Sequence, residues 1–145
     1  SYNFGQQNPG RVARTIRLAL KTALGCGIFF FAATLVFNHQ IVGLFIDKSY
    51  QAYDIAVNGI PYFAVGYLFF ALNIVGIGYY QSIERARRAT VITLFRGTLF
   101  MLAGFLLLPP VLGVRGIWLA VPLAELLTLL LIIGIYLKDS FAVRR

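Results

Sequence analysis

The sequence predicts an all-α, polytopic membrane protein with four membrane-spanning helices, and three observations predict it. Four apolar runs come close to the roughly 20 residues that a helix needs to cross hydrocarbon about 30 Å thick. The 145-residue chain is 59% hydrophobic and only 12% charged, with a mean hydropathy of +0.79, more apolar surface than a small soluble core could hide. Its positive residues fall almost wholly in the gaps between the apolar runs.

The first 21 residues read as a link and the start of an amphipathic helix. Residues 1–10 are polar, and Asn8-Pro9 suits a helix start, with Asn as N-cap and Pro at the first helical position. Arg11, Arg14, Arg17 and Lys21 then share one helical face, which lies along the membrane surface or snorkels into its headgroups. The membrane region covers residues 22–137. Its first span, 22–37, borrows residues 18–21 for length and is closed by Asn38-His39-Gln40. Residues 41–57 are too charged to cross, and predict an outer loop with a short interfacial helix.

Asn58 is expected to cap the second span, 58–80, with Pro61 in its first turn, where a missing N–H costs little. Residues 81–88 form a basic turn. The third span, 89–108, is expected to stop at Pro109-Pro110, since neither residue supplies a helical N–H. After a Gly-rich turn at 113–116, the fourth span runs 117–137 with Pro122 near its start, and residues 138–145 are a basic tail.

Charge sets the expected orientation. Four basic residues precede the first span, three lie in residues 81–88 and three follow residue 137, which puts ten on one side. Only Lys48 and Arg115 lie on the other, and Arg96 is inside a span. Positive residues stay in the cytoplasm, so both ends of the chain are predicted there and the protein is predicted to be multi-pass in the plasma (inner) membrane. This bias accounts for the net charge of +8 without a nucleic-acid partner. Trp118, Tyr79, Tyr80 and Tyr136 lie near span ends, as interfacial aromatic residues do.

Few residues suggest covalent chemistry. Cys26 sits in the first span as a small apolar filler, and His39 reads as an interfacial polar residue. Neither a metal-ligand cluster, nor a phosphate-binding Gly-rich Lys-Ser/Thr loop, nor a Ser/His/Asp set is legible, which argues against an enzyme and against a metal or organic cofactor. The chain has neither an initiator Met nor a cleavable signal, and reads as a piece of something longer.

Two ionisable residues inside spans need a reason to be there, because a charge in hydrocarbon costs at least about 2.5–3.5 kcal/mol. Arg96 lies about 10 Å deep and Glu125 about 18 Å deep at 1.5 Å per residue, a gap that a stretched Arg side chain could bridge. They form either a clamp between helices or a site in which Glu125 exchanges a proton or cation. On the second span, Tyr62, Gly66, Phe69, Asn73, Gly76 and Tyr80 follow one another at alternating spacings of four and three, on one face. That face suits either a packing seam or a wall on which Tyr62, Asn73 and Tyr80 meet flat or cationic organic molecules.

Three stretches, in order, carry a family resemblance. Ser1-Tyr2-Asn3-Phe4-Gly5, with Asn8 and Arg14, resembles the end of the eighth helix in the multidrug and toxic compound extrusion (MATE) family. Tyr80-Gln81-Ser82 followed by Leu94-Phe95-Arg96 resembles its link between helices ten and eleven. Gly113-Val114-Arg115-Gly116-Ile117-Trp118-Leu119-Ala120, with Pro122 and Glu125, is similar to its twelfth helix. The resemblance implies that the four spans are helices nine to twelve, part of a six-helix lobe in a two-lobed antiporter, with helices one to eight as partners. It also implies exchange of Na+ or H+ for organic cations or other drugs by alternating access. Two positions depart from the family pattern: Phe70 stands where some members carry a coupling Asp, and Glu84-Arg85 stands where Gly-Lys is usual. A lipid-linked oligosaccharide flippase of the same superfamily and a small four-helix drug exporter are the alternatives.

Overall fold

The structure is a computed structural model that describes residues 9–143. The expected N-cap at Asn8 and the ends of both tails lie outside the described residues. All regular structure among those residues is helical.

Helix α1, Pro9–Val36, runs unbroken for 28 residues, about 42 Å at 1.5 Å per residue. It therefore carries its arginine-bearing first turns beyond a 30 Å hydrocarbon slab. A short helix, α2, Asn38–Gly43, follows directly. The side chain of His39 is tied down there: Tyr53 Oη lies 3.1 Å from its Nδ1 and donates to its own carbonyl at 3.2 Å. In the loop beyond, the Asp47 carboxylate accepts bonds from the Ser49 amide (2.8 Å) and hydroxyl (2.7 Å). The amide bond, then the hydroxyl bond, holds the Asp47 carboxyl below its ordinary range, against a small opposing effect of burial.

The turn at Asp47 lets the next helix begin early. Helix α3, Gln51–Ala64, starts behind Tyr50 and carries Asp54 in its first turn, where a carboxylate suits the helix dipole. Asn58 is thus not an N-cap: it sits inside α3 and donates back to the Asp54 carbonyl at 2.8 Å. Pro61 likewise lies deep in the helix and not in its first turn. Its missing N–H leaves the Val57 carbonyl without the usual partner, and Asn38 Nδ2 approaches that oxygen at 3.5 Å. At Val65 the chain bends by 42° into helix α4, Gly66–Ser82. The bend falls between Pro61 and Gly66, the two residue types with least helix propensity.

Helix α4 ends in a Schellman turn, with the Glu84 amide donating to the Gln81 carbonyl and the Arg85 amide donating to the Tyr80 carbonyl at 2.9 Å. Glu84 takes the left-handed position, φ 63°, which strains any residue with a Cβ by about 1–2 kcal/mol. The Gly-Lys usual in the resembled family would place Gly at this very residue. Glu84→Gly is therefore expected to raise stability by about 1 kcal/mol, read as a higher melting temperature in detergent.

Helix α5, Ala86–Leu94, a π-helical stretch, Phe95–Phe100, and helix α6, Met101–Leu112, follow without a gap. Pro109 and Pro110 lie within α6, contrary to the expected stop. Each proline removes one N–H but keeps a helical φ, so the helix ends only at Gly113, whose φ of 60° leaves the helical region. Helix α7, Val114–Val143, closes the chain, and Pro122 lies inside it.

Three helical stretches are long and apolar enough to cross a membrane, Gly10–Val36, Ala86–Leu112 and Val114–Asp139, and the bent pair α3–α4 makes a fourth if it counts as one span. Helix α7 is the inner element: it packs against α3 and α4 on one side and against α6 and the π-helical stretch on another, while α1 packs on α3 and α4. Burial agrees, with 39% of the apolar window of α7 covered against 11% for α1 and for the α5–α6 stretch. Ile77 and Tyr80 of α4, Ala89 and Ile92 of α5 and Ile132 of α7 form a closed apolar cluster at one end.

Candidate functional site

Midway along α7 the backbone carries Glu125, with its side chain almost fully covered by α4 and the π-helical stretch. Arg96 comes from that stretch. Its Nε donates to both carboxylate oxygens of Glu125, at 2.9 and 3.1 Å, and one terminal nitrogen lies 2.8 Å from Oε1. Asn73 on α4 adds a third donor group: its Nδ2 lies 2.8 Å from Glu125 Oε2 and 2.8 Å from the Glu125 carbonyl. The guanidinium also sits 4.7 Å from the centroid of the Phe70 ring, whose face attracts a cation.

A carboxylate taken out of water needs its lone pairs filled, and here one guanidinium and one amide fill them. The arrangement joins α4, the π-helical stretch and α7 through one side chain. Sequence depth alone left Arg96 and Glu125 on different levels; the Arg side chain spans the difference. The π-helical hydrogen-bond pattern around Arg96 has no local signal in the sequence, and neither does the use of Phe70 as a ring under the charge. A clue to the latter lay in its position three residues before Asn73, on a neighbouring face of the same helix.

The aromatic stripe is a packing seam and not an open wall. Asn73 is fully buried and Tyr80 is 1% exposed, which favours the seam over the wall at these two residues: Asn73 is bonded to Glu125 of α7, and Tyr80 packs among residues of α5 and α7. Gly66 faces Pro122 of α7, and Gly76 faces Ile132 so closely that an added Cβ would stand 2.9 Å from its methyl. Small residues at these two points bring the backbones together and bury whatever shares their face. Tyr62, beyond the bend, keeps 36% of its surface exposed. Asn73 Oδ1 and Tyr80 Oη are buried with no hydrogen-bond partner among the described residues.

Removal of the Asn73 amide takes two hydrogen bonds from the Glu125 segment. Asn73→Ala is expected to cost about 1 kcal/mol, within the range measured for polar contacts between membrane helices, and to lower the melting temperature without abolishing folding.

Among the described residues no group of three or more His, Cys, Asp and Glu could hold a metal ion. A second set of charges lies at the basic end, where Arg85 and Arg88 both pair with Asp139 near the end of α7.

Apolar helices long enough to cross a bilayer, joined by an ion pair buried between them, define a multi-pass helical membrane protein. The family follows from comparison: the family model described as MatE matches residues 1–106, and the chain belongs to that family, whose members are transporters. No curated protein and no solved structure matches the chain. Arg96, Asn73 and Phe70 lie within the matched region, and Glu125 lies beyond it.

Proposed function

We propose that this chain forms helices nine to twelve of a multidrug efflux antiporter, coupled to Na+ or H+ and working by alternating access. The observation that carries the reading is the buried Arg96–Glu125 pair, tied by Asn73 to a bent helix in a protein of a transporter family. Ionisable groups inside a membrane mark ion pathways or the joints that move around them. These residues hold no phosphate-binding loop, so the work is fed by another chain segment or by an ion gradient, and the buried carboxylate favours the gradient. Glu125 is the group that would trade its guanidinium partner for a proton or Na+ when the helices shift. Tyr62, exposed above the bend, is the aromatic group placed to meet an organic cation.

The remaining eight helices would supply the other walls of the cavity, and the charge bias puts both ends of this chain in the cytoplasm of a cell whose inner membrane holds the transporter. A flippase for lipid-linked sugars needs free intramembrane cations for phosphates. Arg96, the cation within a span, is already neutralised by Glu125, which favours drug efflux.

The test is ethidium accumulation in cells expressing the full-length protein. Wild type is expected to lower accumulation, with the effect lost when the Na+ and H+ gradients are dissipated and lost in Glu125→Gln at equal membrane expression. Efflux that survives both gradient collapse and the substitution would refute the coupling role.

A further inference from the structure

At the basic end of the bundle, away from Glu125, a groove of about 340 Å³ opens between α5 and α7, lined by Arg87, Arg88, Val91, Ile135, Lys138 and Asp139. The one carboxylate in it is already shared, since Asp139 pairs with both Arg85 and Arg88. Arg88 is further held 6.0 Å from the centroid of the Tyr80 ring. Arg87 and Lys138 are exposed and have no ion-pair partner among the described residues. The groove thus presents positive charge that no described residue pairs with.

Its two parts are stacked along the helices. Val91 stands one turn below Arg87 on α5, and Ile135 one turn below Lys138 on α7, so a cationic mouth sits about 5 Å above an apolar throat. The start of α5 opens at the same mouth with no side-chain cap, and the partial positive charge of a helix N-terminus adds to the attraction for an anion. Tyr79 and Tyr136 pack edge to face at this end, 6.3 Å between centroids, at the level where aromatic rings meet headgroups. A phosphate with an apolar tail below it fits both parts; a free phosphate would leave Val91 and Ile135 unused.

We propose that this groove binds the headgroup of an anionic phospholipid, with the phosphate between Arg87 and Lys138 and the upper acyl chain along Val91 and Ile135. Basic clefts between membrane helices at the headgroup level suit such lipids. The lipid would add a bridge between α5 and α7 beside the Arg88–Asp139 pair.

The full-length protein in neutral detergent, titrated with short-chain phosphatidylglycerol, phosphatidylcholine or inorganic phosphate, tests the assignment by native mass spectrometry and melting temperature. Phosphatidylglycerol is expected to bind more tightly than phosphatidylcholine and to raise the melting temperature. Arg87→Ala with Lys138→Ala should weaken phosphatidylglycerol roughly 25-fold, at about fivefold per cation, and leave phosphatidylcholine binding and the lipid-free melting temperature unchanged. The exchange Arg87→Lys with Lys138→Arg should keep the binding. If the double alanine variant does not fold, Lys138→Gln alone should still weaken phosphatidylglycerol about fivefold. Equal binding of the two lipids, unchanged phosphatidylglycerol binding in the charge-removed variants, or a full thermal shift from inorganic phosphate alone would each overturn the proposal.

Discussion

Glu125→Ala is expected to cost about 3 kcal/mol or more and to leave little folded protein in the membrane. The substitution strands Arg96, whose guanidinium keeps the Phe70 ring against it but loses its carboxylate. Breaking a buried pair from one side is far worse than removing both charges, because the surviving charge keeps its full desolvation cost. Arg96→Met combined with Glu125→Met should therefore recover most of the lost stability, although the Asn73 amide then loses its carboxylate acceptor. Detergent melting and yield of monodisperse protein measure both effects. Were Glu125→Ala as stable as wild type, the pair would be no more than a surface-like contact.

The second large effect comes from helix packing. In Gly116→Ala, the new methyl would stand 2.5 Å from the carbonyl carbon and oxygen of Leu108 and 2.7 Å from the nitrogen of Pro109. Those are backbone atoms and cannot rotate away, so α6 and α7 must separate at their shared end. A cost near 3 kcal/mol is expected, at the upper end for overpacking. Gly134, on the same helix, has nothing within 4 Å of an added Cβ. Gly134→Ala is expected to be neutral or to stabilise by up to about 1 kcal/mol, through helix propensity alone. The contrast between two Gly→Ala changes in one helix, read as melting temperature, separates close packing from propensity.

What the sequence carried well is what depends on composition over a whole helix. Runs of apolar residues separated by basic turns indicated where helices lie, and the rarity of charge in hydrocarbon singled out Arg96 and Glu125. Signals confined to one residue did worse. Asn58 and Pro61 have the chemistry of a helix start, yet the turn at Asp47 and Ser49 had already started that helix seven residues earlier. Pro109 and Pro110 look like a stop, but a proline late in a helix removes a hydrogen bond without forbidding helical dihedrals.

The stripe from Tyr62 to Tyr80 shows a different limit. Periodicity tells which side chains share a face; it does not tell what lies opposite. The same six residues could line a cavity or a seam, and only the closeness of Pro122 and Ile132 to Gly66 and Gly76 decides for the seam. The π-helical stretch around Arg96, which packs against α7, is likewise not displayed by a single sequence.

The account rests on residues 51–82 forming one bent span and not a re-entrant pair, since that fixes which ends of the bundle lie together. Cysteine accessibility tests this directly, in a full-length protein whose native cysteines, Cys26 among them, are replaced by alanine. Lys48→Cys and Ala86→Cys each place one thiol at an exposed site at either end of the bent pair. Intact cells treated with a membrane-impermeant maleimide should label Lys48→Cys and spare Ala86→Cys, with the reverse in inside-out vesicles. Labelling of both positions from the same side of the membrane would contradict it.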